Sequence, residues 1–222
     1  MQTRFGSAEE RYRYARPTDL DTITTTLMDP EVGTWLWFVP APQEVLSAYF
    51  SPLVEAQWQS LADGQPPEVA VFVVEDPQGT YLGHGAVVAV EGSPRGFEIG
   101  FALDTSAWGR GVGLRLGQFL MAWAVQEHNA HRIQAGCLEG NAGSRRILEK
   151  LGLTLEGTRP EFRTKGEVRH TELELGARVA DLDAASIRVR RAGKRPAADP
   201  LPFAARVVRR VARADPRSRQ FL

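Results

Sequence analysis

The chain has 222 residues, 43% of them apolar and 24% charged, with 27 Lys and Arg against 27 Asp and Glu. This composition fits one globular domain with a sizeable core and an appendage, and it excludes disordered and fibrous classes. The apolar run near the middle, Phe119 to Val125, is too short to span a bilayer, and one cysteine, Cys137, excludes an internal disulfide framework.

The N-terminal residues Arg4, Glu9, Glu10 and Arg11 enclose no apolar leader, so the expected address is cytoplasmic and no membrane is expected as a partner. The balanced charge conceals a division. Residues 181–222 hold eleven Lys or Arg against four Asp, a net of +7, which leaves 16 basic and 23 acidic side chains in residues 1–180, a net of −7. Pro196, Pro200 and Pro202 interrupt this basic segment, so residues 1–180 are expected to form the domain and 181–222 an extension. There is no internal repeat.

In chain order, Tyr12 to Arg16 reads as a first strand stopped by Pro17, and Thr18 or Asp19 as the cap of a helix through Ile23. Residues 43–62 read as a second helical region, broken by Pro52. Val69 to Glu75 and Tyr81 to Val90 form a hairpin around Asp76-Pro77-Gln78-Gly79. Phe97 to Leu103 makes the next strand. Val112, Leu116, Phe119, Leu120 and Trp123 recur at helical spacing. Arg132 to Leu138 is a strand; Ser144, Ile147, Leu148 and Leu151 share a helix face that stops at Gly152. Residues 153–157 and 168–176 read as a closing antiparallel pair. The fold class is therefore α/β, a mixed sheet flanked by helices.

Gly109, Gly111 and Gly113 remove side chains where a helix begins, so backbone N–H groups and the helix dipole can meet an anion, most naturally a phosphate. It is not a P-loop, because no Gly-Lys-Ser/Thr occurs. It is not a dinucleotide fingerprint either, because the third glycine position is Leu116 and no Asp lies between Asp104 and Asp181.

Trp108-Gly109-Arg110-Gly111-Val112-Gly113, preceded by Glu98-Ile99-Gly100-Phe101 and followed by Asn141-Ala142-Gly143-Ser144 and Glu149-Lys150-Leu151-Gly152, closely resembles the GNAT superfamily of N-acetyltransferases, in particular its RimJ/RimL-like branch. The resemblance covers about residues 11–178 and includes Arg16-Pro17-Thr18-Asp19-Leu20 and Asp29-Pro30-Glu31-Val32. It implies a mostly antiparallel central sheet with splayed strands and acetyl-CoA as cosubstrate. The pyrophosphate would be held by the amides of Gly109, Arg110, Gly111, Val112, Gly113 and Leu114, and the pantetheine arm by the strand backbone at Phe101, Ala102 and Leu103. It also implies that Asn141 bonds that arm and Ser144 lies near the sulfur; on the residues alone, Asn141 is a helix N-cap and Ser144 serves the first turn.

Acetyl transfer to an amine needs a group to take the amine's proton. Glu98 sits where the family's strand-borne glutamate lies. Strand alternation puts Phe97, Ile99 and Phe101 on one face and Glu98 on the other, a lone acid facing an apolar layer, where burial would raise its pKa. Glu161 is the second candidate by resemblance. No tyrosine follows Tyr81, so the tyrosine that often protonates the departing thiolate is absent; Ser144 could serve, or the thiolate leaves unaided. Trp35, Trp37 and Phe38 follow a Gly33 break, at a position that lines the acceptor cleft in similar enzymes; core packing is the competing reading. His84 reads as a strand-face residue, His128 and His131 as helix-end residues suited to the dipole, and no metal site is expected.

The expected function is transfer of acetyl from acetyl-CoA to an amine by direct attack. The competing classes are a silent acyl-CoA-binding regulatory module and an interaction protein that docks ribosome or nucleic acid through its basic tail. Leu201 to Arg213 reads as an amphipathic helix. It is expected to dock on the acidic domain of its own chain or of a homodimer partner, with a free tail or nucleic-acid contact as the alternatives.

Overall fold

A computed structural model of the protein describes residues 5–6 and 9–183. The postulated tail helix at 201–213 lies outside the described residues. Eight strands form one sheet in the order β1-β2-β3-β4-β5-β6-β8-β7: β1 (Phe5–Gly6), β2 (Arg11–Tyr14), β3 (Val69–Glu75), β4 (Tyr81–Ala89), β5 (Gly96–Leu103), β6 (Arg132–Leu138), β7 (Thr154–Lys165) and β8 (Val168–Arg178). All neighbours are antiparallel except β5 and β6. Helices α1 (Leu20–Met28), α2 (Pro30–Gly33) and α3 (Gln43–Ala62) precede β3; α4 (Val112–His128) and α5 (Ala142–Lys150) flank β6 in the chain.

The two-residue period of β3 divides the core. Ala70, Phe72 and Val74 join Phe119, Leu120 and Trp123 of α4 and Leu148 of α5 on one face of the sheet. Val71 and Val73 join Ile23 and Leu27 of α1 and Leu46, Phe50 and Val54 of α3 on the other. Each large side chain buried this way contributes about 1.5–3 kcal/mol. Gln57 fastens α3 to the sheet: its side chain donates to Ala15 O at 3.0 Å and accepts from Val71 N at 2.7 Å. At the other edge of that junction Arg13 bonds Asp19 and Glu75. Burial alone would raise the Asp19 pKa, but the Arg13 guanidinium and the Arg16 N–H outweigh it and hold it low.

Two expectations are corrected and a third is refined. Pro52 does not break its helix: α3 is continuous, because Leu46, Phe50, Leu53 and Val54 are buried on both sides of the proline and their packing outweighs one lost backbone bond. The β7 strand does not end at 157 but runs to Lys165, pairing with β8 across an irregularity between Arg159 and Arg163 that absorbs Pro160. His128 closes α4, but as a half-buried ring rather than a solvated end group. It is packed between Phe97 and Trp123 at about 5 Å centroid distances, and burial lowers its pKa.

Candidate active site

The site begins where two strands part. Parallel β5 and β6 share only three rungs, Gly96–Arg132, Phe97–Ile133 and Glu98–Gln134, although β5 continues to Leu103 and β6 to Leu138. Beyond Glu98 the strands diverge. Phe101, Ala102 and Leu103 remain paired with Gly85, His84 and Gly83 of β4, so their other edge faces the gap. Such an edge offers backbone donors and acceptors to an extended amide-bearing ligand.

Because β5 and β6 run the same way, the turns that follow them meet at one end of the gap. After β5 comes Asp104, whose carboxylate accepts from Ser106 N, then Trp108, whose indole N–H donates to Leu103 O at 3.2 Å. Gly109 and Gly111 both have left-handed φ, 71° and 77°, which admits glycine and strains other residues. Gly111 is the N-cap of α4 and supplies no side chain to it, so the first N–H groups of the helix, at Val112, Gly113 and Leu114, have no intrahelical carbonyl to meet. Around Gly109 the space is open, whereas a Cβ on Gly113 would meet Ile147 Cδ1 at 2.8 Å. Gly113 therefore seats α4 against α5, and only its amide is available to an anion. Arg110 is exposed and bonds Ser106 O; Arg115, one turn into α4, is engaged by buried Glu10 at 2.8 Å. After β6, Asn141 caps α5 by accepting from Ser144 N at 3.0 Å. Open edge, left-handed glycines and unpaired helix amides fit the backbone and pyrophosphate of a CoA ester.

Glu98 occupies the last rung before the strands part. Solvent reaches it along the gap, yet protein encloses it on most other sides, as expected on the floor of a cleft. Burial raises its pKa, Gln134 Nε2 at 3.3 Å lowers it, and nearby Glu172 raises it again. The layer around it is not the apolar one expected: Gln134 of β6 and Glu172 and Glu174 of β8 share its face, because Leu173 and Leu175 turn to the core. Tyr49 of α3 is part of the same neighbourhood, its pKa pushed to about 12 by burial and by the Glu98 charge.

The opposite wall comes from the loop after α2. The Trp35 ring lies 3.7 Å from where a Cβ on Gly140 would stand, and Lys165 Nζ bonds Gly33 O and Thr34 O. Trp37 lies under the Arg163 guanidinium, 4.1 Å from its ring centroid, while Phe38 packs into the core against α1 and α3. Glu161 stands apart from this group. It is exposed, has a φ of 54° at the β7 irregularity, and pairs with Arg169 at 2.8 Å. Ser144 is half-buried and its hydroxyl neighbours the Cys137 thiol, which burial pushes to about 11. Buried His84 is held neutral, its pKa lowered to about 4 by burial, with Tyr81 Oη 2.6 Å from Nδ1.

Sequence reasoning missed Tyr49, Gln134, Arg163 and Glu172. The alternation Glu172-Leu173-Glu174-Leu175 carried a usable signal for the acidic face; the Arg163–Trp37 contact joins residues far apart in the chain and left none. Among the described residues, no group of three or more His, Cys, Asp or Glu could hold a metal ion, and no helix is long and apolar enough to cross a membrane.

A family model for the acetyltransferase (GNAT) domain matches residues 11–154. The chain is 38% identical over 66 residues to the uncharacterized N-acetyltransferase YjdG of Bacillus subtilis (strain 168), a stretch covering 30% of this chain and 39% of that protein. The chain thus spans about two fifths of that relative's length. In fold it is similar to Mycobacterium smegmatis RimJ in complex with CoA-disulfide, at TM-score 0.66 and 17% identity over 84% of this chain and 90% of the other. It is also similar to spermidine N-acetyltransferase from Vibrio cholerae in complex with CoA and spermine, at TM-score 0.65 and 17% identity over 79% and 98%.

Proposed function

The chain belongs to the GNAT acetyltransferase family, and from that premise we propose that it transfers acetyl from acetyl-CoA to an amine, with Glu98 as the general base. The observation that carries this reading is the parting of β5 and β6 at Glu98, which puts a carboxylate of raised pKa beside an open strand edge. Acetyl-CoA supplies an activated thioester. The amides of residues 109–114 hold its pyrophosphate, and the Phe101–Leu103 edge receives the pantetheine arm.

The acceptor enters between the 34–41 loop and the β7–β8 hairpin. Glu98 takes a proton from its ammonium, directly or through water, and the neutral amine attacks the thioester carbonyl. The C–N bond forms as the C–S bond breaks; the sulfur leaves as thiolate and is protonated by solvent or by the Ser144 hydroxyl, which in turn regains the second proton that the newly acylated nitrogen sheds. Because the base works only when ionised, and burial holds it above the ordinary carboxylate range, kcat/KM falls on acidification earlier than a free carboxylate would dictate. The acceptor is a protein N-terminus or a small amine.

The test is free-thiol release from acetyl-CoA against a panel of such amines. Glu98→Gln is expected to keep acetyl-CoA affinity and lose roughly 10²–10⁴ in turnover. Gly111→Val is expected to lose acetyl-CoA binding, because its φ of 77° and the amides it aligns do not tolerate a β-branched residue. Full activity in a folded Glu98→Gln enzyme would remove Glu98 from the mechanism; loss in Glu161→Gln instead would move the role there.

A further inference from the structure

The wall of the acceptor cleft contains a cage suited to a positive charge. Trp37 is one side and Phe162 another; Glu172, only 5% exposed, lies behind them, and Glu174 is next on the same face of β8. Aromatic faces backed by a carboxylate are the chemistry that holds an ammonium group. The cage is filled from within. The Arg163 guanidinium stands 4.1 Å over Trp37 and 5.0 Å over Phe162, and its Nε donates to Glu172 Oε1 at 2.8 Å. Arg159 closes the flank, 4.6 Å over Phe162 and paired with Glu172 and Glu174. Two carboxylates and two guanidinium groups leave the cluster neutral, and both Arg163 and Glu172 are close enough to act on the charge of Glu98.

The geometry points to Arg163 as a specificity-determining residue: it occupies the aromatic–carboxylate cage that the second ammonium of a diamine would use, and so confines the site to acceptors whose only cation is the reacting amine. This rests on the acetyl-transfer reading above. A guanidinium cannot lose its proton in a protein, so it is a permanent occupant. Without it, one uncompensated carboxylate charge would stand beside two aromatic faces.

The experiment compares 1,5-diaminopentane with 1-aminopentane, equal in length and different in one charge, on the full chain. Arg163→Met should raise the diamine-to-monoamine ratio of kcat/KM about tenfold, mainly through KM, while Arg163→Lys stays near the unmodified ratio. Glu172→Gln in the Arg163→Met background should cancel the gain. In the otherwise unchanged chain Glu172→Gln should move the ratio the other way, which keeps a readout should Arg163→Met fail to fold. Calorimetric titration of the two amines in the presence of CoA reads the same ratio without turnover. Absence of thiol release with every amine would therefore sink the activity while binding still decides the cage. An unchanged ratio in folded Arg163→Met, or a gain that survives Glu172→Gln, overturns the inference.

Discussion

The β3–β4 ladder and the β5–β6 ladder lie in the same sheet and obey opposite rules. Seven rungs join β3 to β4, and β3 is buried on both faces from Ala70 to Val74. Three rungs join β5 to β6, and from the last of them onward one face carries Glu98, Gln134, Glu172 and Glu174. Where the ladder closes, backbone groups satisfy each other and apolar side chains cover both faces. Where it opens, the backbone needs water or a ligand, and charged side chains gather.

The closed half breaks hardest. Phe72, fully buried, stacked on Tyr14 and edge-on to Phe119 and Trp123, is expected on replacement by Ala to cost about 3–5 kcal/mol of unfolding free energy, measured by denaturant titration. The same measurement on Trp35→Ala, at the exposed rim of the cleft, should register under about 1 kcal/mol; a similar loss at both positions would dissolve the contrast.

His84 sharpens the boundary, since it lies on β4 opposite Ala102 of β5 and is buried beside Tyr81 and Phe50. Its folded pKa of about 4 lies below the ordinary value of 6.5. Between those values the unfolded chain binds a proton that the native chain refuses, so stability is full above pH 6.5 and declines as the pH falls toward 4, by up to ~3 kcal/mol. His84→Gln should flatten that decline in melting temperature; an unaltered pH profile would show that other groups cause it.

A smaller effect than at Phe72 or His84 belongs to Asn141. Asn141→Ala removes the cap on Ser144 N and should cost about 0.5–2 kcal/mol of stability. A fall in acetyl-CoA affinity larger than this would show contact with the ligand as well, and an effect on neither would leave the cap without a role.

The closed half was also the legible half. A β-branched apolar run closed by the Asp76-Pro77-Gln78-Gly79 turn located the β3–β4 hairpin, and helical spacing located α4, because burial leaves its mark on the local sequence. Arg132 to Leu138 coincides with β6 for the same reason. Glycines, Glu98 and Asn141 were visible as a motif. The rest was hidden by physics that has no local period. The Thr158–Lys165 part of β7 is polar and contains Pro160, so its strand depends on cross-strand ion pairs with β8 such as Arg159–Glu172. Pro52 reads as a breaker until tertiary packing outweighs it. The Trp37–Arg163 stack joins residues that meet only when the fold brings a loop onto a hairpin.

Cys137 gives the opening between the strands a clock. It is the one cysteine of the chain, it lies on β6 in the stretch past the last rung with β5, and burial holds its thiol near pKa 11. At pH 7 only ~1 in 10⁴ of such thiols is ionised, too few to compete with an incoming amine for an acyl group. A thiol-directed label added to the native protein must then wait for β6 to come away from its neighbours, so its labelling half-life would time the breathing of the cleft, and a ligand that bridges the two strands would lengthen it.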